Sequence, residues 1–492
     1  MKQKVSIIGA GFAGISAATC LAKEGFDVTV FEKNSTPGGR ARKLVANGFT
    51  FDMGPSWYWM PDVFEKYFNL FGKKASDYYQ LDRLDPSYRI VYSKNDFIDI
   101  PAGVPALKAL FEKLEPGSGK HLQQFLDEGK AKYDIGINDL VYKPGLSLTE
   151  FADLKLIGNV FKLHVFQSIS SYIRKFFKEP RIVKLLEFPV LFLGATPEQT
   201  PALYSLMNYA DMALGTWYPR GGMHKVVEGM VSLAEERGVK FVYNAAVEKI
   251  EVENGSAVAL VVNGDRHLTN FVVAGADYHH VEQKLLPAPY RRYDEAYWNS
   301  RVMAPSSLLF YLGLSKKIDG LQHHTLFFDR DFTQHAKEIY HDPKWPSDPQ
   351  FYLSCTSQTD PTVAPAGHEN LVILVPVAPG LTDSEETREH YFNIVMERLE
   401  QMMGQSLRPH VVFKRSYAHA DFINDYNAFR GNAYGLANTL TQTAILKPSL
   451  LNKKVSNLFY TGQLTVPGPG VPPSIISGQV VAREITKRVN RG

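Results

Sequence analysis

Apolar and polar positions change rhythm three times within the first 32 residues. A short apolar run ending at Ile8 gives way to a glycine-rich break, then to apolar residues at helical spacing, then to the alternation D-V-T-V-F. The pattern predicts a strand at Lys4–Ile8, a helix over about Ala13–Glu24 with Gly25 as its C-cap, and a second strand over Val28–Glu32. Later stretches, KFVYNAAVEKIEVENG, AVALVVNG and LTNFVVAGAD, alternate or are β-rich, with Asn-Gly turns between them. The runs SSLLFYLGL, QFYLSCTSQ and NLVILVPVA have strand length, whereas the region from 96 to 215 is predominantly helical in spacing. Near the far end, Asn457 to Thr461 reads as a strand that meets Gly462, then a loop stiffened by prolines, then a helical tail. Prolines at that density fix φ and remove amide donors, so this junction is a loop of one shape.

Composition narrows the picture. A chain of 492 residues with 45% hydrophobic and 21% charged content is an ordinary globular sequence of several domain-sized units. Lys and Arg number 54 against 51 acidic residues, which argues against a nucleic-acid binder. Two cysteines, Cys20 and Cys355, exclude a disulfide framework and suit a reducing compartment. No run approaches the roughly 18 apolar residues of a spanning helix, and the opening run is too short and β-branched for a signal peptide. The expected location is the cytoplasm, with contact to the membrane from that side.

Candidate chemistry starts at the first break. Gly9, Gly11 and Gly14 have G-x-G-x-x-G spacing between a strand and a helix. Gly9 permits the turn, Gly11 lets backbone approach a pyrophosphate, and Gly14 lets helix and strand pack closely. Glu32, 18 residues after Gly14 and followed by Lys33, stands where a carboxylate accepts ribose hydroxyls. The extension STPGGRAR adds Gly39, Arg40 and Arg42, more amides and cations than a nicotinamide site needs, which points to FAD. The expected fold is α/β, with a glutathione-reductase-type (Rossmann-like), discontinuous FAD domain at 1–95, 216–295 and 445–492. The remainder, 96–215 and 296–444, is expected to form a substrate domain of mixed β-sheet and helices.

Four further segments carry a family resemblance: GFTFDMGPSWYWMPDVFEKYF at 48–68, YPRGGMHKVVEGM at 218–230, TDPTVAPAGHENLVILVPV at 359–377 and DYNAFRGNAYGLANTLTQTAILKPS at 425–449. Together with the Pro/Gly loop near the end, they resemble bacterial carotenoid desaturases of the phytoene-desaturase type along nearly the whole chain. The resemblance implies that Gly54, Pro55 and Ser56 lie by the flavin, and that backbone at Val247 meets the adenine end. It also implies that Gly462, Gln463, Val471 and Pro472 close over the ribityl chain and ring. Many relatives carry Asp where this chain has Gln463. Trp57, Tyr58 and Trp59 are expected to wall a tunnel for a flat polyene.

The implied reaction is desaturation of phytoene and its successive products toward lycopene, with hydride passing to the flavin. A hydroxycarotenoid 3,4-desaturase is the alternative within the family; a flavin amine oxidase or a prenyl-binding escort protein would be more distant readings. Glu150 and Arg301 stand where relatives carry a carboxylate and an arginine, and are the implied acid–base candidates. No G-x-S-x-G, HExxH or CxxC occurs, and no metal site is expected. A quinone or oxygen is the expected electron acceptor, since no second nucleotide fingerprint is present. From Lys155 to Lys184, seven basic residues and one acid interleave with Phe161, Phe166, Phe176 and Phe177, as in a helix lying on anionic lipid.

Overall fold

The computed structural model describes residues 2–147, 150, 164, 166–193 and 196–490. Its first unit is the expected one: β1 (Lys4–Ile8), α1 (Phe12–Lys23) and β2 (Asp27–Phe31). β1 is central in a five-stranded sheet whose order is Leu458–Tyr460, Phe271–Ala274, β1, β2, Lys240–Val242. Every neighbouring pair in it is parallel. Such sheets are covered on both faces, and Val5, Ile7, Val28, Val30, Val272 and Val273 are all nearly inaccessible.

The two ends of the chain meet here. The last strand, Leu458–Tyr460, pairs beside Phe271–Ala274, and the last helix, Val471–Val489, lies on α1. Their closest approach is at Gly478, where an added Cβ would stand 2.4 Å from Ala13 O and 2.7 Å from Ala17 N. Ser16 Oγ donates to Ile475 O across the same contact, at 2.7 Å.

A second sheet has seven strands, in the order Val411–Tyr417, Ser306–Leu314, Glu369–Val377, Phe351–Ser354, His324–Phe327, Tyr88–Ser93, Asp96–Ile100. Leu308, Phe310 and Leu312 point to one face, packed on helix Glu385–Met403 through Phe392, Val395 and Leu399. Leu309 and Tyr311 point to the other, against Phe49 and Phe51 of the hairpin Lys43–Asp52. Strand Tyr88–Ser93, which the sequence boundary at 95 assigns to the first unit, pairs in parallel with His324–Phe327. A strand pairs by backbone register, and nothing in its own five or six residues names the partner.

Helices Val104–Leu114, Ser118–Asn138, Ile169–Phe176 and Pro180–Glu187 form the helical layer. Of the basic and aromatic stretch 155–184, residues 155–163 (Phe161 among them) and 165 lie outside the described residues. Phe166 is 89% exposed, whereas Phe177 is fully buried on Phe111 and Phe125. Among the described residues no helix is long and apolar enough to cross a membrane, and no three metal-ligating side chains cluster. His279 and His280 lie in a helical turn, and His323 and His324 sit at the start of a strand.

Candidate flavin site

A cavity of about 430 Å³ opens where the carboxyl ends of β1 and β2 face the seven-stranded sheet. Ligands of open α/β sheets bind at this end of the strands. Gly9, Gly11, Glu32, Lys33, Gly39, Arg40, Gly54, Pro55, Val247, Gly462, Gln463 and Val471 all line it. Gly9 has φ +95°, which only glycine adopts without strain. A Cβ on Gly11 would meet nothing within 4 Å, so the space over the α1 amino terminus is open. Gly14 does not face the cavity: a Cβ there would lie 2.1 Å from Gly9 O, so this glycine seats the helix under the turn. Gly39 in turn rests on Gly11, its Cβ position 3.4 Å from Gly11 Cα.

Glu32 is 4% exposed at the end of β2. Its Oε2 accepts Ala10 N (2.8 Å) and its Oε1 accepts both nitrogens of Asn34 (2.9 Å each). Oε2 retains a lone pair for a ribose hydroxyl. Removing this carboxylate by Glu32→Ala should weaken FAD uptake by roughly 1–3 kcal/mol, read by flavin-fluorescence titration. Unchanged affinity would place the ribose elsewhere.

Arg40 donates to Asn432 O at 3.3 Å, and its buried Nε has no partner among the described residues. Burial lowers its pKa from the usual arginine value, and Asp277 opposes that shift; burial raises the Asp277 carboxyl in turn. Asp277 accepts His280 N and Phe429 N. An unpaired guanidinium nitrogen, a glycine cradle with open space and a buried ribose acceptor are the parts that a dinucleotide diphosphate fits.

The Pro/Gly loop is tied to the last helix through Ser477, whose Oγ accepts Gly462 N and bonds Thr461 Oγ1, both at 3.0 Å. Pro472 and Pro473 have no N–H and Ser474 N donates to Gly470 O, so Val471 N–H remains as the first-turn donor facing the cavity. The helix therefore offers its dipole and one amide rather than a full crown of donors.

Behind this loop Lys447 is buried, with Nζ donating to Asn438 Oδ1 at 2.9 Å. Burial alone pushes its pKa down to about 8 from 10.5. The ammonium thus costs stability below pH 8, and the cost is relieved as pH rises toward the unfolded value. Between pH 7 and pH 10.5, the stability of the flavin-free wild type relative to Lys447→Met should improve by about 3 kcal/mol, read by urea titration. A difference that stays flat would mean a solvated amine.

The other named residues stand outside the cavity lining. Ser56 Oγ turns to Tyr352 OH (2.9 Å), and Pro472 sits in the first turn of the last helix. The Glu150 carboxylate accepts the amides of Gly145, Leu146 and Ser147 and holds that loop. Arg301 lies over the Tyr297 ring at 4.6 Å and bonds Ser300 Oγ. A carboxylate committed to three amides is a clasp. Tyr58 is fully buried, bonded to Tyr79 and stacked on Phe64, and Trp59 Nε1 donates to Thr216; both serve the core. Asp52 of the D-x-G-P motif is also structural: it accepts the Met223 and His224 amides at the start of helix His224–Glu236, and burial raises its pKa to about 7.

Sequence reasoning missed the opposite wall: Leu309, Leu374, Asp425, Tyr426 and Tyr434. Leu309 and Leu374 carried only a strand signal. The segment 425–449 carries a family motif, but nothing in its pattern assigns roles to Asp425, Tyr426 or Tyr434.

Fold and cavity together define an FAD-dependent oxidoreductase. The family pattern described as flavin containing amine oxidoreductase matches residues 12–486. A carotenoid 3,4-desaturase of Haloarcula japonica is 41% identical over 488 residues, covering 99% of each chain. A zeta-carotene-forming phytoene desaturase of Myxococcus xanthus is 31% identical over 494 residues, covering 98% of this chain and 94% of that one. Among solved structures, an oxidoreductase from Methanosarcina mazei has the same fold, with a TM-score of 0.65 at 16% identity, covering 98% of this chain and 100% of that one. The chain belongs to the flavin containing amine oxidoreductase family and, within it, to the carotenoid desaturases.

Proposed function

We propose that the protein introduces a double bond at the 3,4 position of an acyclic, already conjugated carotenoid. The observation that carries this reading is the 41% identity along essentially the full length of both chains to a carotenoid 3,4-desaturase, against 31% to a phytoene desaturase. The second relative supports the other reading, successive desaturation of phytoene toward lycopene. Bound FAD supplies the hydride acceptor. The chain's own part is to hold a flat apolar substrate against Leu309, Leu374 and Tyr434, and to exclude water with the stiffened loop over Gly462 and Pro469. An allylic hydride leaves most easily because the remaining positive charge spreads over the conjugated bonds. As that charge develops, the neighbouring proton becomes acidic and leaves in the same step, so a weak but well-placed acceptor suffices.

The test is incubation of holoenzyme in liposomes with phytoene in one arm and a conjugated hydroxycarotenoid in the other, with products separated by chromatography. Conversion of the conjugated substrate alone supports the 3,4 reading. Conversion of phytoene to longer polyenes replaces it with the second reading.

Reoxidation by a membrane quinone or by oxygen completes the proposal, together with binding to the cytoplasmic face of a membrane. Exposed Phe166 and the basic side chains Lys175 and Lys178 support lipid contact. Charge reversal at both lysines should reduce flotation with anionic liposomes; flotation equal to that of the wild type removes these residues from the contact.

A further inference from the structure

The sheet face that lines the flavin cavity continues beyond it. Leu309 pairs with Leu374, Leu374 with Tyr352, and Tyr352 with Leu326 across successive strands. Residues in register stand on one face, about 4.8 Å apart from strand to strand. Tyr352 is therefore the next side chain after Leu374, which lines the cavity. From across the cavity edge, Ser56 reaches the same hydroxyl, directly after the lining residue Pro55.

The Tyr352 hydroxyl lies 2.9 Å from Ser56 Oγ and 2.6 Å from His324 Nδ1. His324 is 0% exposed, and its Nε2 has no partner among the described residues. Its ring stacks on Trp57, centroids 4.1 Å apart and planes 10° from parallel. His323 abuts it at 4.5 Å and bonds Thr359 Oγ1 at 2.8 Å. Burial holds both imidazoles below the usual histidine range, His323 at about 3. An unpaired polar atom in an apolar core is destabilising, so an apolar side chain would serve packing better at His324. The Ser–Tyr–His series begins beside the cavity and ends at a neutral ring under an indole.

We propose that Ser56, Tyr352 and His324 form the proton path of the desaturation, with His324 as the store. The proposal rests on the desaturation reading above. As the hydride leaves one substrate carbon for the flavin, the C–H bond on its neighbour breaks and that electron pair becomes the new C=C bond. Ser56 is only partly buried and follows the lining residue Pro55, so its Oγ takes the proton at the cavity edge; the Ser56 proton goes to Tyr352, and the Tyr352 proton to His324 Nδ1, which becomes imidazolium. The face of Trp57 stabilises that cation. A quinone becoming quinol takes two protons and two electrons; bound FAD would supply the electrons with one hydrogen, and His324 would return the second proton along the same path. Donor and acceptor then balance, and both sites are restored.

Tyr352→Phe keeps the ring and removes only the hydroxyl. Flavin content and polyene affinity by tryptophan-fluorescence quenching should match the wild type, while the melting temperature falls slightly because His324 Nδ1 loses its partner. Anaerobic single-turnover bleaching of the flavin by substrate should slow by about 100-fold or more, the range of acid–base catalysis. Ser56→Ala should slow it in the same way. In flavin-free protein, nitrogen NMR should show His324 neutral at pH 7 with its proton on Nε2, and Tyr352→Phe should shift the Nδ1 resonance. Bleaching within about threefold of the wild type in Tyr352→Phe would overturn the proposal. So would a loss of rate that only tracks lost flavin or lost polyene binding, or a His324 already doubly protonated at pH 7.

Discussion

Gly11→Val is expected to give a folded protein that stays colourless, whereas Gly14→Val is expected not to fold. At Gly11 the backbone is extended (φ −80°, ψ 174°), which any residue adopts, and the Cβ position is free of protein atoms within 4 Å. The valine Cβ therefore meets no protein atom in the flavin-free chain and stands in space over the α1 amino terminus that a diphosphate needs. At Gly14 the added Cβ would lie 2.1 Å from Gly9 O and 3.3 Å from Gly9 C, inside the contact that seats α1 under β1. Backbone cannot yield there without displacing the turn, so the loss exceeds about 3 kcal/mol. Far-UV circular dichroism separates the two variants, and flavin absorbance after reconstitution reads the first. A yellow Gly11→Val protein would place the diphosphate away from this helix.

The second large effect is expected at Gly478, which does not itself line the cavity. Gly478→Val places side-chain atoms where Ala13 O, Ala17 N and Ser16 Cβ now stand, 2.4, 2.7 and 2.8 Å from the Cβ position. The last helix must lift from α1, with a destabilisation of about 1–3 kcal/mol for overpacking of a buried contact. Ser477 moves with it, and with Ser477 go the bonds that hold Gly462 and Thr461 beside the cavity. Flavin should therefore be lost on gel filtration before the chain unfolds. Lys487→Ala, on the exposed side of the same helix, should stay within about 0.5 kcal/mol. Retained flavin in Gly478→Val would mean that the C-terminal loop does not depend on this docking.

The local part of the site was legible because its signals are local. Strand, glycine turn, helix and Glu32 fall within 32 residues, and the spacing of Gly9, Gly11 and Gly14 has one geometric use. The prolines after Gly462 were readable as a rigid loop for the same reason. That two of them also strip donors from the last helix follows from their chemistry, once the helix is known to start at Val471. Ser56 was legible as a neighbour of the flavin segment but not by its partner, because Tyr352 lies 296 residues further on. Glu150 illustrates the opposite case. A carboxylate in a family position suggested chemistry, while its three bonds to amides within five residues give it a structural use.

What the amino-acid sequence determined by itself was the α/β class, the FAD fingerprint and the desaturase family, since propensity, turn chemistry and motif spacing act between residues near in the chain. Only the tertiary structure decided that Gly478 meets Ala13, that Tyr352 stands in register beside the lining residue Leu374, and that Lys447 carries its charge without a carboxylate partner among the described residues. The first of those contacts joins helices at opposite ends of the chain, and the energies of all three depend on burial and register, which no local pattern encodes.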